Sequence, residues 1–134
     1  VDLIQDYDMV LDGTDNFSAR LILNAVCFNY DKPYVYGAVS GFDGQLSVFQ
    51  ASQGPCLSCL FPKPPALEGE TQKGHLGVLN TVPAVIGALQ AAQALKLILG
   101  MGEQLIGRLL LFNALDVSFQ TVEILKRKAC QVCG

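Results

Sequence analysis

Two C-x-x-C pairs, "CLSC" at Cys56–Cys59 and "CQVC" at Cys130–Cys133, stand about 70 residues apart in a chain of 134, and each supplies two sulfurs from one tight turn. Four thiolates complete the tetrahedral shell that zinc prefers. A fold that satisfies them together must return the end of the chain to its middle. With no open position left for water, such a zinc is structural, a clasp that stops the intervening segment from fraying. The same spacing also serves redox dithiols, whose first cysteine sits at a helix N-terminus that lowers its pKa. "GPCLSCLFPKPP" carries three prolines after its second cysteine, so no helix is expected there and the redox reading requires metal-free knuckles. The fifth cysteine, Cys27, lies between Val26 and Phe28 and reads as a small core hydrophobe.

Hydrophobic residues make up 51% of the chain and charged ones 16%, the balance of one interior-rich domain rather than a disordered tail. A net charge of -3 argues against a nucleic-acid surface, which needs clustered Lys and Arg. Only Lys126, Arg127 and Lys128 lie together, as a solvated edge. Residues 78 to 99 are apolar enough to raise the question of a membrane span. Gln90, Gln93 and Lys96 put a polar stripe along one side, so a buried core helix is expected and no membrane partner. No signal-peptide pattern is visible and a cytoplasmic location is expected. The chain begins "VDLIQDYDMVLDG", directly ahead of a strand, and reads as starting partway through a larger unit.

"YDMVLD", Tyr7 to Asp12, is a short apolar run suited to a strand buried on both faces. Phe17, Leu21, Ala25 and Phe28 recur on one helical face from Asn16 to about Asn29, with Thr14 or Asp15 as the cap. "YVYGAV", Tyr34 to Val39, completes a βαβ unit. After the turn "SGFDG", "QLSVFQ" returns antiparallel. "PKPPALEGETQKGH" has neither period and is expected to be a mobile loop. Asn80 or Thr81 opens the long helix with Pro83 in its first turn, and Gly100 and Gly102 stop it. "GRLLLFNALDVSFQTVEILKR" reads as two strands joined at "NALD", with a bulge expected near Thr121. The fold class is α/β with a mixed sheet.

In "VLDGTDNFSARLILNAVC", Asp12, Thr14, Asp15 and Asn16 cluster at the carboxyl end of a parallel strand. Capping needs one polar residue, but ligands of open α/β sheets bind at that edge, and a carboxylate there holds magnesium against phosphates. Both readings stand on the residues alone. "YDMVLDGTDNFSARLILN", "GPCLSCLFP", "GVLNTVPAVIGALQAAQALKLILG", "GRLLLFNAL" and "CQVCG" together resemble the ThiF/MoeB/HesA family, prokaryotic relatives of ubiquitin-activating enzymes, with the motifs in family order over nearly the whole chain. The resemblance implies the C-terminal half of a Rossmann-like ubiquitin-activating-enzyme-type fold with a mixed sheet and a four-cysteine zinc site. Residues 1–53 would end the nucleotide-binding part, 54–77 would form the zinc knuckle and mobile crossover loop, and 78–134 the long helix, last strands and second knuckle.

The implied activity is ATP-dependent adenylation of the C-terminal glycine of a ubiquitin-like sulfur-carrier protein, in thiamine or molybdopterin biosynthesis, by a homodimer. Asp15 matches the aspartate that engages magnesium and the ATP phosphates, and Asn16 and Arg20 its supporting continuation. Cys56, Cys59, Cys130 and Cys133 match the structural zinc ligands. Two departures accompany this match. Members that form a covalent carrier intermediate have a cysteine just ahead of the "GVL" helix, where this chain has Lys73 and His75. The chain also has no G-x-G-x-x-G after a strand, so no ATP turnover is expected from it alone. His75, the single histidine, is assigned no role. The rival reading is a non-catalytic zinc-stabilised module that docks a carrier or a second subunit.

Overall fold

The computed structural model describes residues 2–63 and 77–134. Among the described residues five strands form one sheet in chain order: β1 (Val10–Leu11), β2 (Tyr34–Ser40), β3 (Asp43–Phe49), β4 (Arg108–Asn113) and β5 (Ser118–Glu123). Helix α1 (Phe17–Asn29) links β1 to β2, the single turn α2 (Leu57–Leu60) follows β3, and α3 (Thr81–Leu99) precedes β4. β1 and β2 are parallel and the remaining pairs antiparallel, so the mixed α/β sheet is as expected. The crossover loop falls largely on residues 64–76, outside the described residues, as do Lys73 and His75.

Two layers cover the sheet. On one face Val35, Leu46 and Val48, each 0% exposed, pack under α3. Burying one such side chain contributes about 1.5–3 kcal/mol. On the other face Tyr34, Tyr36, Phe49 and Leu109 pack with Cys27 of α1, Leu57 and the knuckle cysteines. Gly41, with φ of 58°, takes the left-handed position in the two-residue loop between Ser40 and Asp43, as tight hairpins require.

Several boundaries differ from the sequence-based expectations. β1 is two residues long and Leu11 is 47% exposed, because among the described residues only β2 pairs with it; a 3-10 helix at Asp2–Asp6 precedes it. α1 buries Phe17, Asn24 and Cys27 rather than centring on Leu21 and Ala25. Asn16, not Thr14 or Asp15, caps it through its side-chain oxygen and the Ala19 N–H, 2.8 Å apart. β3 begins at Asp43, so "DG" belongs to the strand rather than to the turn.

α3 is half-covered, with Leu95, Ile98 and Leu99 exposed, and two members of its polar stripe, Gln90 and Gln93, point inward. Gln93 accepts from the Leu105 N–H, Gln90 donates to two backbone carbonyls, and Lys96 donates to the Glu103 carbonyl. No bulge occurs at Thr121, since β4 and β5 pair without interruption from Arg108–Glu123 to Asn113–Ser118. The slipped alternation there reflects an edge strand whose six residues are all exposed, so neither face imposes a pattern.

Candidate functional site

The turn between β1 and α1 lies at the carboxyl end of the parallel β1–β2 pair, above the N-terminus of a 13-residue helix, where free N–H groups favour negative charge. Asp12 ends β1 and is 2% exposed. Its Oδ1 accepts from the Thr14 N–H at 2.8 Å and the Thr14 hydroxyl at 2.6 Å. Its Oδ2 accepts from the Tyr34 hydroxyl at 2.5 Å and lies 3.7 Å from Arg20 Nε. Burial and this bond to Asp12 push the Tyr34 phenol well up, so it remains a donor.

Arg20 turns back along α1, donates from Nη2 to the Thr14 carbonyl at 2.8 Å, and carries its guanidinium 5.9 Å from the Tyr36 ring centroid. Arg20 thus reaches, through the Thr14 carbonyl, the turn that carries Asp15 and Asn16. The Asp15 carboxylate is exposed, its Oδ1 3.4 Å from Asn16 Nδ2. Beside them Phe17, Arg20, Tyr36, Gln45 and Phe61 line a cleft of about 200 Å³. An exposed carboxylate over a helix N-terminus can bind a divalent cation that in turn bridges phosphate oxygens.

The four knuckle cysteines form the second cluster, buried and with their sulfurs within 4.8 Å of one another. The short approaches run between knuckles, Cys56 to Cys130 at 3.6 Å and Cys59 to Cys133 at 3.2 Å. A tetrahedral zinc with bonds of about 2.3 Å sets its sulfurs about 3.8 Å apart, so the donor set and spacing suit a metal ion. Backbone N–H groups turn toward sulfur, as at Arg127 N, 3.4 Å from Cys59 Sγ. Burial opposes ionisation of Cys130, but bonds from the Cys133 and Val132 N–H groups bring its thiol down to about 6. Burial and the neighbouring sulfurs hold Cys133 well up.

Cys56 does stand at the N-terminus of the single turn α2, contrary to the expectation of no helix there. Burial nonetheless raises its thiol rather than lowering it, the reverse of what an attacking dithiol needs. Cys27 is core, as expected, at 2% exposure.

α1 joins the two clusters. The buried Asn24 accepts from the Leu57 N–H at 2.9 Å and donates to Ser58 Oγ at 3.2 Å, bolting the helix that carries Asn16 and Arg20 onto the first knuckle. In the sequence alone Asp12 reads as a strand end, and the parts played by Tyr34, Asn24 and Gln90 do not show. The available signal is polarity inside apolar runs, an amide in α1 and another in α3.

The ThiF family model matches residues 1–133. A sulfur carrier protein adenylyltransferase of Thermus thermophilus is 42% identical over 139 residues, covering 100% of this chain and 51% of that relative. An adenylyltransferase and sulfurtransferase MOCS3-1 of Drosophila pseudoobscura is 45% identical over 133 residues, covering 98% of this chain and 30% of that relative. The chain therefore spans about half the length of the first and less of the second. Among solved structures, E. coli MccB with ATP superposes with a TM-score of 0.80 at 17% identity, over 95% of this chain and 39% of that one. At that identity the likeness concerns the fold. The sequence match over nearly all residues makes the conclusion plain: this chain belongs to the ThiF family.

Proposed function

We propose that the chain belongs to an ATP-dependent adenylyltransferase that activates the C-terminal glycine of a ubiquitin-like sulfur-carrier protein, in thiamine or molybdopterin biosynthesis. The observation that carries this reading is the exposed Asp15 carboxylate at the carboxyl end of the β1–β2 pair, in a turn that Arg20 and Asn16 hold. The relatives' adenylyltransferase names support it. Magnesium, when bound, neutralises phosphate charge. Asp15 would hold it, Asn16 and Arg20 would keep Asp15 in position, and Cys56, Cys59, Cys130 and Cys133 would hold a structural zinc.

A carboxylate nucleophile needs no general base, so the chain's contribution to catalysis is alignment and charge placement. The division into residues 1–53, 54–77 and 78–134 goes with this reading, as do a cytoplasmic location and a Gly-rich ATP loop outside residues 1–134. A homodimer belongs to it as well, supported by the exposed apolar residues of α3.

The test is carrier-dependent exchange of pyrophosphate into ATP by the full-length protein carrying Asp15→Asn. The exchange falls on the order of a hundred-fold or more if Asp15 engages the metal and phosphates. Unchanged exchange overturns the assignment of Asp15 and leaves residues 1–134 as a zinc-stabilised docking module, with Asp15 an ordinary loop residue.

A further inference from the structure

Asp12 carries more than a strand end requires. A carboxylate at 2% exposure is costly unless its charge and lone pairs are matched, and here they are matched by groups that all act on one residue's neighbourhood. Through Oδ1 it holds the N–H and the hydroxyl of Thr14. Arg20, paired with Asp12 across 3.7 Å, holds the Thr14 carbonyl. Thr14 is therefore fixed at its N–H, hydroxyl and carbonyl, and on the far side Asn16 is fixed by its cap to Ala19.

Asp15 sits between these two anchors. From behind, Tyr34 donates to Asp12 Oδ2, and Gln90 donates to the Asp12 carbonyl at 2.8 Å. Gln90 comes from α3 and approaches β2 closely enough that a Cβ on Gly37 would stand 2.5 Å from its Nε2.

We propose that Asp12, backed by Tyr34 and acting through Thr14, is a positioning residue that sets where the Asp15 carboxylate stands. This rests on the reading of Asp15 as the residue that engages the cation and phosphates. Misplacing a binding group by about 1 Å can cost on the order of a hundred-fold in rate. The expected signature is a weaker grip on magnesium with recognition of the carrier unaltered.

The experiment titrates magnesium onto the ATP-bound full-length protein by calorimetry, and measures pyrophosphate exchange against magnesium and then carrier concentration, for Asp12→Asn, Thr14→Val, Thr14→Ser and Asp15→Asn. Asp12→Asn should raise the magnesium half-saturation about ten-fold and Thr14→Val several-fold, with the carrier KM unchanged in both. Thr14→Ser, which keeps the hydroxyl, should retain the wild-type magnesium response. Folded Asp12→Asn and Thr14→Val proteins with wild-type magnesium dependence overturn the proposal. If Asp12→Asn does not fold, the contrast between Thr14→Val and Thr14→Ser decides. Loss of exchange in Asp15→Asn alone, with the other variants silent, removes the positioning role and leaves the function. A silent Asp15→Asn removes both.

Discussion

Tyr34 and Tyr36 stand side by side on β2 with their hydroxyls committed to Asp12 and Gln45, and both are at 1% exposure. Burial pushes Tyr36 from 10.0 up to about 12, Arg20 drawing it down in part, while Tyr34 is raised further by burial and by its bond to Asp12. Both shifts favour the protonated phenol in the fold. For Tyr36 that stabilisation is therefore fully present below pH 10.0 and lost as pH rises through about 12, and for Tyr34 it persists to higher pH. At pH about 11 the tyrosinate absorbance should account for no more than two of the four tyrosines, and denaturant should release the rest. A rise equivalent to three or four in folded protein would contradict the buried pair. At this scale the sequence displays "LDGTDN" but not which aspartate is buried, because that depends on Tyr34, 22 residues away along the chain.

Contacts between elements are set at close approaches where the sequence offers glycine. A Cβ on Gly44 would lie 2.5 Å from Ile86 Cγ1, and Ile86 is 2% exposed with little room to yield. Gly44→Ala should therefore destabilise the fold by about 1–3 kcal/mol. Gly87, on the same helix, meets nothing within 4 Å, so Gly87→Ala should stabilise by about 0.5–1 kcal/mol. Urea midpoints of the two variants moving in the same direction would refute this account of how α3 sits on β3. The two long helices, α1 and α3, are readable from periodicity and stop signals, as Gly100 at φ 62° bears out for α3, whereas the single turn α2 is not. Which way α3 faces is not readable either. Gln90 and Gln93 look like a solvent stripe until Asp12, Val35 and Leu105 supply backbone partners for them. Asn24 carries no signal of its partners in the sequence, since its amide is matched by the backbone of Leu57 and the hydroxyl of Ser58.

For the molecule as a whole, the paired C-x-x-C spacing makes the return of the chain end legible, and motif order makes the family legible. The link between the two clusters through α1 depends on three-dimensional contacts that no spacing announces. That link gives the clasp a consequence, because residues 125–134 include no helix or strand and the knuckle sulfurs tether them to α2 and so to α1. The five cysteines are buried, yet for different reasons. Four are expected to be shielded by a metal ion, whereas Cys27 is sealed in the core, with burial foremost lifting its thiol to about 11. A thiol reagent should therefore find none of the five in native protein, four after a strong chelator removes one equivalent of zinc, and the fifth only in denaturant. Loss of the metal should also expose the segment after Ile124 to protease while β2 and β3 stay protected, since a ligand bound only by the folded state stabilises by mass action. Four thiols that react without a chelator, or protein that carries no metal and keeps its C-terminal segment protected, would mean that the sulfurs meet for packing alone.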